Sequence, residues 1–227
     1  MSFFGEIVEP GTRTAWEDWD TNLQEDDQPK LLWCKEATVP PEIKRFFIIE
    51  GRYIADSVQS LTKYKLELVN IIQPVNIHLY RVECAETYIC VLKDYDLLLA
   101  SEIVDLLKLY INVSNDLIAI LTKPIAEYQA TEYQEYVIRC VSTTKPPPLP
   151  LVKAIPKLEQ PNIISGVTAG AICLREMKNE SGVAVIFYME HNEEYQIDEL
   201  QELLGTLDFG PVDSLPNNSF LKSNLYI

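Results

Sequence analysis

Hydrophobic residues follow two spacings along this chain. Runs that are apolar at nearly every position occur at 46–49, 117–121, 136–141 and 183–189. They predict strands covered on both faces, because a strand with one wet face would alternate with polar residues. Gly51 ends the first run and Gly182 opens the last. Shorter strands are predicted at 77–82, after Pro74, and at 88–92, after a turn near Ala85 and Glu86. Helical spacing appears between them. Leu99, Ile103, Leu106, Leu107 and Tyr110 share one face of a helix over 94–110, with Asp94 or Asp96 where a cap belongs. Asp56 or Ser57 heads a helix to about residue 68, and Ser165 caps a helix of small residues over 167–178. Ile197, Leu200, Leu203, Leu204 and Leu207 mark a final helix face, which Gly205 stops. Strands alternating with helices predict an α/β fold with a mainly parallel central sheet and helices on both faces.

Two segments break this rhythm. Residues 1–30 read as an acidic, partly ordered arm, with Glu9, Glu17, Asp18, Asp20, Glu25, Asp26 and Asp27 against Arg13 and Lys30. Pro146, Pro147, Pro148, Pro150, Pro156 and Pro161 crowd the connection at 143–161, which excludes helix and central strand. That stretch fits an SH3 or WW ligand in polyproline form, or a stiff surface connection. The connection reading is adopted, so residues 31–221 form one α/β domain and 222–227 a C-terminal tail.

Charge narrows the partners. The chain has 227 residues, 19 basic against 34 acidic, and a formal net charge of −15. Nucleic acid and anionic membrane surfaces are disfavoured, and a basic protein partner is favoured. With no basic leader before an apolar run and no apolar stretch of spanning length, neither a signal peptide nor a membrane span is expected. The five cysteines are scattered without a CxxC pair and read as reduced thiols, mostly buried. The expected compartment is the cytoplasm, with the nucleus as a second one.

Catalytic motifs are missing where they would be recognised. There is no phosphate-binding GxGxxG or P-loop and no GxSxG elbow. Gly166-Val167-Thr168-Ala169-Gly170 lacks the following Lys, and reads as two glycines easing a helix start against the sheet. His78 reads as a sheet residue, and His191 lacks a second ligand spaced for zinc. Glu193, Glu194, Asp198, Glu199 and Glu202 read as a solvated helix face. No cofactor, metal or catalytic residue is assigned.

The last residues, Ser223-Asn224-Leu225-Tyr226-Ile227, combine an aliphatic anchor, an aromatic with a polar tip and a terminal carboxylate. They suit a pocket on another protein, or a last strand folded back on the domain. Taken with Phe3-Phe4-Gly5-Glu6-Ile7-Val8 and Leu158-Glu159-Gln160-Pro161-Asn162-Ile163, the tail resembles the family of proteasome assembly chaperone 1. The resemblance implies a nucleoside-phosphorylase-like fold without catalytic activity. It implies a heterodimer with proteasome assembly chaperone 2 that binds α subunits of the 20S core particle, promotes their ring and holds it. It also implies that the tail enters between α subunits as a hydrophobic–Tyr–any motif. Leu225 would be the hydrophobic member, Tyr226 the tyrosine and Ile227 the carboxylate-bearing end. Two readings compete with this one. A small-molecule enzyme of hydrolase or phosphorylase type would need convergent polar groups in a pocket, and an acidic adaptor would present its prolines to SH3-type domains.

Overall fold

The computed structural model describes residues 30–55, 65–83, 86–129, 136–149 and 153–189. Eight strands form one sheet: β1 (Leu32–Trp33), β2 (Ile43–Glu50), β3 (Leu66–Gln73), β4 (Ile77–Val82), β5 (Thr87–Leu92), β6 (Ser114–Pro124), β7 (Tyr136–Ser142) and β8 (Ser181–Met189). Their order across the sheet is β1-β3-β4-β5-β2-β6-β8-β7. Helix α1 (Arg52–Ala55) follows β2, α2 (Ala100–Ile111) follows β5, and α3 (Gly166–Met177) precedes β8.

The sheet is mixed, which corrects the mainly parallel expectation. Strands β5, β2, β6 and β8 run parallel to their neighbours in this central block. Strands β1, β3 and β4 on one side and β7 on the other pair antiparallel. Connection length explains one side. Only residues 74–76 join β3 to β4, with Asn76 at φ 51°, and a link that short can make a hairpin but no crossover.

Alternation along β2 divides the core. Phe46 and Ile48 face the side where Ile103, Leu107 and Tyr110 of α2 and Val167 and Ala171 of α3 pack. Phe47 and Ile49 face the other side, met by Ile54 of α1 and by Leu149 and Ile155 from the proline-rich connection. Among the described residues, both long helices therefore lie on one face, where helices on both had been expected. The proline segment works as a strap on the other face. Pro147 and Leu149 are buried while Pro146 and Pro148 are exposed, so the run does not present a free polyproline ridge.

Strand β3 replaces the end of the helix expected to run to residue 68. A β-bulge between Leu68 and Asn70 shifts its register and breaks the alternation that would mark it as a strand. Past the bulge, buried Asn70 holds the edge. Its Oδ1 accepts from Lys35 N at 3.1 Å and its Nδ2 donates to Lys35 O at 2.8 Å. Asp96 caps as expected, accepting from Leu98 N at 2.9 Å, although a 3-10 turn over Leu97–Leu99 precedes α2. Gly170 faces α2 and not the sheet. A Cβ there would lie 2.9 Å from Val104 Cγ2, so the glycine lets the two helices approach. Cys90 and Cys140 are buried but Cys34 and Cys173 are exposed, so burial holds for only part of the set. The expected helix near 197–207 lies outside the described residues.

Candidate functional site

A cleft of about 580 Å³ opens at the carboxyl ends of β2 and β6, where α3 begins. In α/β sheets this is the usual place for a ligand. A helix start also offers N–H groups without intrahelical partners, which attract anions. Here two of those donors, Val167 N and Thr168 N, are already served. Buried Glu50, the last residue of β2, accepts from Thr168 N through Oε2 at 2.8 Å. Its Oε1 accepts from the Tyr95 hydroxyl. That hydroxyl oxygen accepts in turn from Val167 N at 2.8 Å. Burial, and after it the charge of Glu50, pushes the Tyr95 hydroxyl above the ordinary range, so it stays a donor. Ser165, expected to cap α3, makes no side-chain cap bond. A carboxylate arriving from another strand does that work.

The rim of the cleft is paired off. Arg52 Nε meets Asp94 Oδ1 at 2.7 Å and Lys123 Nζ meets Glu127 Oε2 at 2.9 Å. An entering phosphate would confront the Glu50 carboxylate at the position a helix start would otherwise reserve for it. Gly166 stands at φ 81°, and a Cβ on it would lie 2.6 Å from Glu50 Oε1, so the contact depends on glycine. Among the described residues no group of His, Cys, Asp and Glu is placed to hold a metal ion. His78 pairs within the sheet opposite Val91, its ring 6.0 Å from that of Tyr80.

The second constellation surrounds Leu158-Glu159-Gln160-Pro161-Asn162-Ile163. Residues 156–158 run beside β7, with Cys140 N donating to Pro156 O at 2.9 Å and Leu158 N donating to Cys140 O at 2.8 Å. This covers part of an otherwise open sheet edge. Glu159 then grips Arg139 of β7, accepting from Nε at 2.8 Å and from Nη2 at 3.2 Å, and it accepts from the Tyr128 hydroxyl. The guanidinium lies 5.3 Å from the Tyr128 ring centre, and that ring is 5.0 Å from Tyr188. Asn162 closes the other end. Its Oδ1 accepts from Gln129 N at 2.8 Å and its Nδ2 donates to Gln129 O at 3.1 Å. The segment fastens the connection before α3 to β7 and to the chain after β6.

Hydrogen bonds from Arg139 pull the Glu159 carboxyl down to about 2. A depressed folded-state pKa gives stability that is present above the unfolded value, about 4.3, and is lost as pH falls through the folded value. The Glu159 side chain is 46% exposed, so solvent screening limits the pair to about 1 kcal/mol or less. Glu159→Gln is therefore expected to cost at most about that much at neutral pH. The gap from the native chain should close between about pH 4.3 and pH 2. Denaturant melts of both chains across that range check this, and a gap that widened on acidification would refute the assignment.

The tail residues Leu225, Tyr226 and Ile227 lie outside the described residues, as do His191 and the acidic group from Glu193 to Glu202. The described sites, Glu50 with Tyr95 and Arg139 with Glu159, were not singled out as sites from sequence. Only Glu159 carried a signal, as a member of the segment resembling the chaperone family.

No protein-family model matches the sequence, and no curated protein does. Solved structures do match. A protein of unknown function from Thermoplasma acidophilum is 11% identical, with a TM-score of 0.57 over 77% of this chain and 80% of that one. PbaA of Pyrococcus furiosus, an archaeal homologue of proteasome-assembly chaperone, is 9% identical, with a TM-score of 0.58 over 82% and 85%. A protein of unknown function from Mycobacterium tuberculosis is 10% identical, with a TM-score of 0.51 over 78% and 76%. The chain shares the fold of these proteins.

Proposed function

We propose that this chain is a non-catalytic chaperone of 20S proteasome assembly. It pairs with proteasome assembly chaperone 2, binds α-type subunits, and promotes and holds their ring. It works without a cofactor in the cytoplasm and the nucleus. The observation that carries the reading is the fold likeness to PbaA, a homologue of proteasome-assembly chaperone, with a TM-score of 0.58 over 82% of the chain. The cleft at the strand ends supports the non-catalytic part, because Glu50 fills the helix start that an anionic substrate would use.

The tail is the proposed anchor. Burying Leu225 contributes roughly 1.5–3 kcal/mol, and a charge-assisted bond from a Lys between α subunits to the Ile227 carboxylate adds about 1.5–3 kcal/mol. Ordering the segment opposes this by about 1–2 kcal/mol per residue. The tail therefore adds modest affinity to a broader surface. Co-purification with α-type subunits and a second chaperone chain tests the reading as a whole. Adding one Gly after Ile227 tests the tail, since it keeps every side chain and only moves the charge. We expect about tenfold weaker α-ring binding with an unchanged melting temperature. Undiminished binding by the extended chain would remove the tail from the reading.

A further inference from the structure

Glu50 is a buried carboxylate in the lining of the cleft at the strand ends, and among the described residues it enters no ion pair. Its hydrogen bonds come from two neutral donors, the Tyr95 hydroxyl on Oε1 and Thr168 N on Oε2. A carboxylate oxygen has two lone pairs, so each oxygen keeps one acceptor site. The charge is not cancelled nearby. After burial, it is the next cause that raises the Cys90 thiol and the Tyr95 hydroxyl above their ordinary ranges. The basic side chains in the lining have other partners. Arg52 lies 2.7 Å from Asp94 and Lys123 lies 2.9 Å from Glu127, and Lys93 is likewise engaged.

We infer that this cleft receives the ammonium group of a lysine side chain presented by a partner protein, with Glu50 as its counter-charge. The burial cost of Glu50 is already met in the folded chain. An arriving ammonium brings only its own desolvation and meets a weakly screened charge. Its three donors form no rigid fork, which suits a carboxylate whose oxygens are each half used. Leu97, Leu121 and Pro124 in the same lining offer apolar surface to the aliphatic stem. A divalent metal fits less well. It takes about six oxygens or more, and no group of His, Cys, Asp and Glu among the described residues is placed to hold one. The rim selects a protein over a free amine. Leu97 is 60% exposed and Leu98 beside it 77% exposed. A small amine would leave both in water, while a protein surface around the inserted lysine would cover them.

The test uses the full chain at physiological salt and a short labelled peptide with capped ends and one lysine between leucines, followed by fluorescence anisotropy. A matching peptide with norleucine for lysine keeps the stem and removes the ammonium. It should bind at least about tenfold more weakly. Glu50→Gln, which keeps an acceptor for Thr168 N, should weaken the lysine peptide by a similar factor. Asp105→Asn, the same charge change at an exposed position of α2, should alter binding by less than about twofold. The lysine peptide should also shift the amide resonances of Val167 and Thr168. No binding of that peptide, equal binding of the two peptides, or amide shifts confined to other parts of the chain would overturn the inference. So would equal losses in Glu50→Gln and Asp105→Asn, which report net charge alone. Putrescine binding as tightly as the peptide would overturn the protein partner and assign the cleft to a free amine. The peptide comparison needs no variant, so it decides the point even where Glu50→Gln does not fold. No proteasome component enters the measurement, so its outcome is separate from that of the chaperone reading.

Discussion

Arg175→Ala is expected to lower the unfolding free energy by about 3–5 kcal/mol, the range for uncovering a buried, fully engaged charge partner set. Arg175 is 1% exposed on α3. Its Nε donates to Ser181 O at 2.8 Å and its Nη1 to Ile111 O at 3.0 Å and Ser114 O at 2.8 Å. Its Nη2 donates to Asn115 O at 2.6 Å. These carbonyls belong to the end of α2, the start of β6 and the start of β8, so one guanidinium ties three elements. Alanine would take this donor from Ser114 O, Asn115 O and Ser181 O and leave Glu180 Oε2, 2.9 Å from Nη1, without its ion-pair partner, while Ile111 O would keep the Ser114 hydroxyl at 2.8 Å. Arg175→Lys should recover only part of the loss, because an ammonium cannot span that fork. Urea unfolding of the three chains decides it. A loss below about 1 kcal/mol for the alanine variant, or full rescue by lysine, would mean the carbonyls find other partners.

Gly51→Ala should cost about 2–4 kcal/mol, combining backbone strain with a clash that cannot relax. Gly51 has φ 117°, and a Cβ there would lie 2.7 Å from the backbone oxygen of Thr122. Its own N–H donates to Leu92 O at 2.9 Å, so the peptide is held between β5 and β6 and cannot turn away. Gly182→Ala is the control. Its Cβ would lie 3.2 Å from Thr143 Cγ2 and 3.3 Å from Arg175 Cβ, tight contacts but with side chains and longer than the 2.7 Å backbone clash at Gly51, and its φ is not positive. The expected order of melting temperatures is native, then Gly182→Ala, then Gly51→Ala. A reversed order would show that strain at the end of β2 is not what glycine relieves. Because Gly51 follows Glu50, its loss should also disturb the start of α3, visible as weaker amide protection at Val167 and Thr168.

What the sequence determined by itself was local. The continuous apolar runs at 46–49, 117–121 and 183–189 marked the central parallel strands, since burial on both faces leaves no polar alternate positions. The stripe from Leu99 to Tyr110 marked the buried side of α2, where Ile103, Leu107 and Tyr110 sit in the core. Strand direction was decided only by the tertiary structure. An apolar run at 136–141 reads the same whether β7 lies parallel or antiparallel to β8, because side-chain alternation carries no direction. Strand β3 was hidden because its bulge broke the period that would have marked it. Glu50 reached Thr168 across 118 residues, and Arg175 reached Ile111 across 64, distances over which residue spacing holds no information. A lone carboxylate or guanidinium in an apolar stretch signals that a partner exists, since burial without one is too costly. Which carbonyls and amides supply it is settled only when the sheet and helices bring them together.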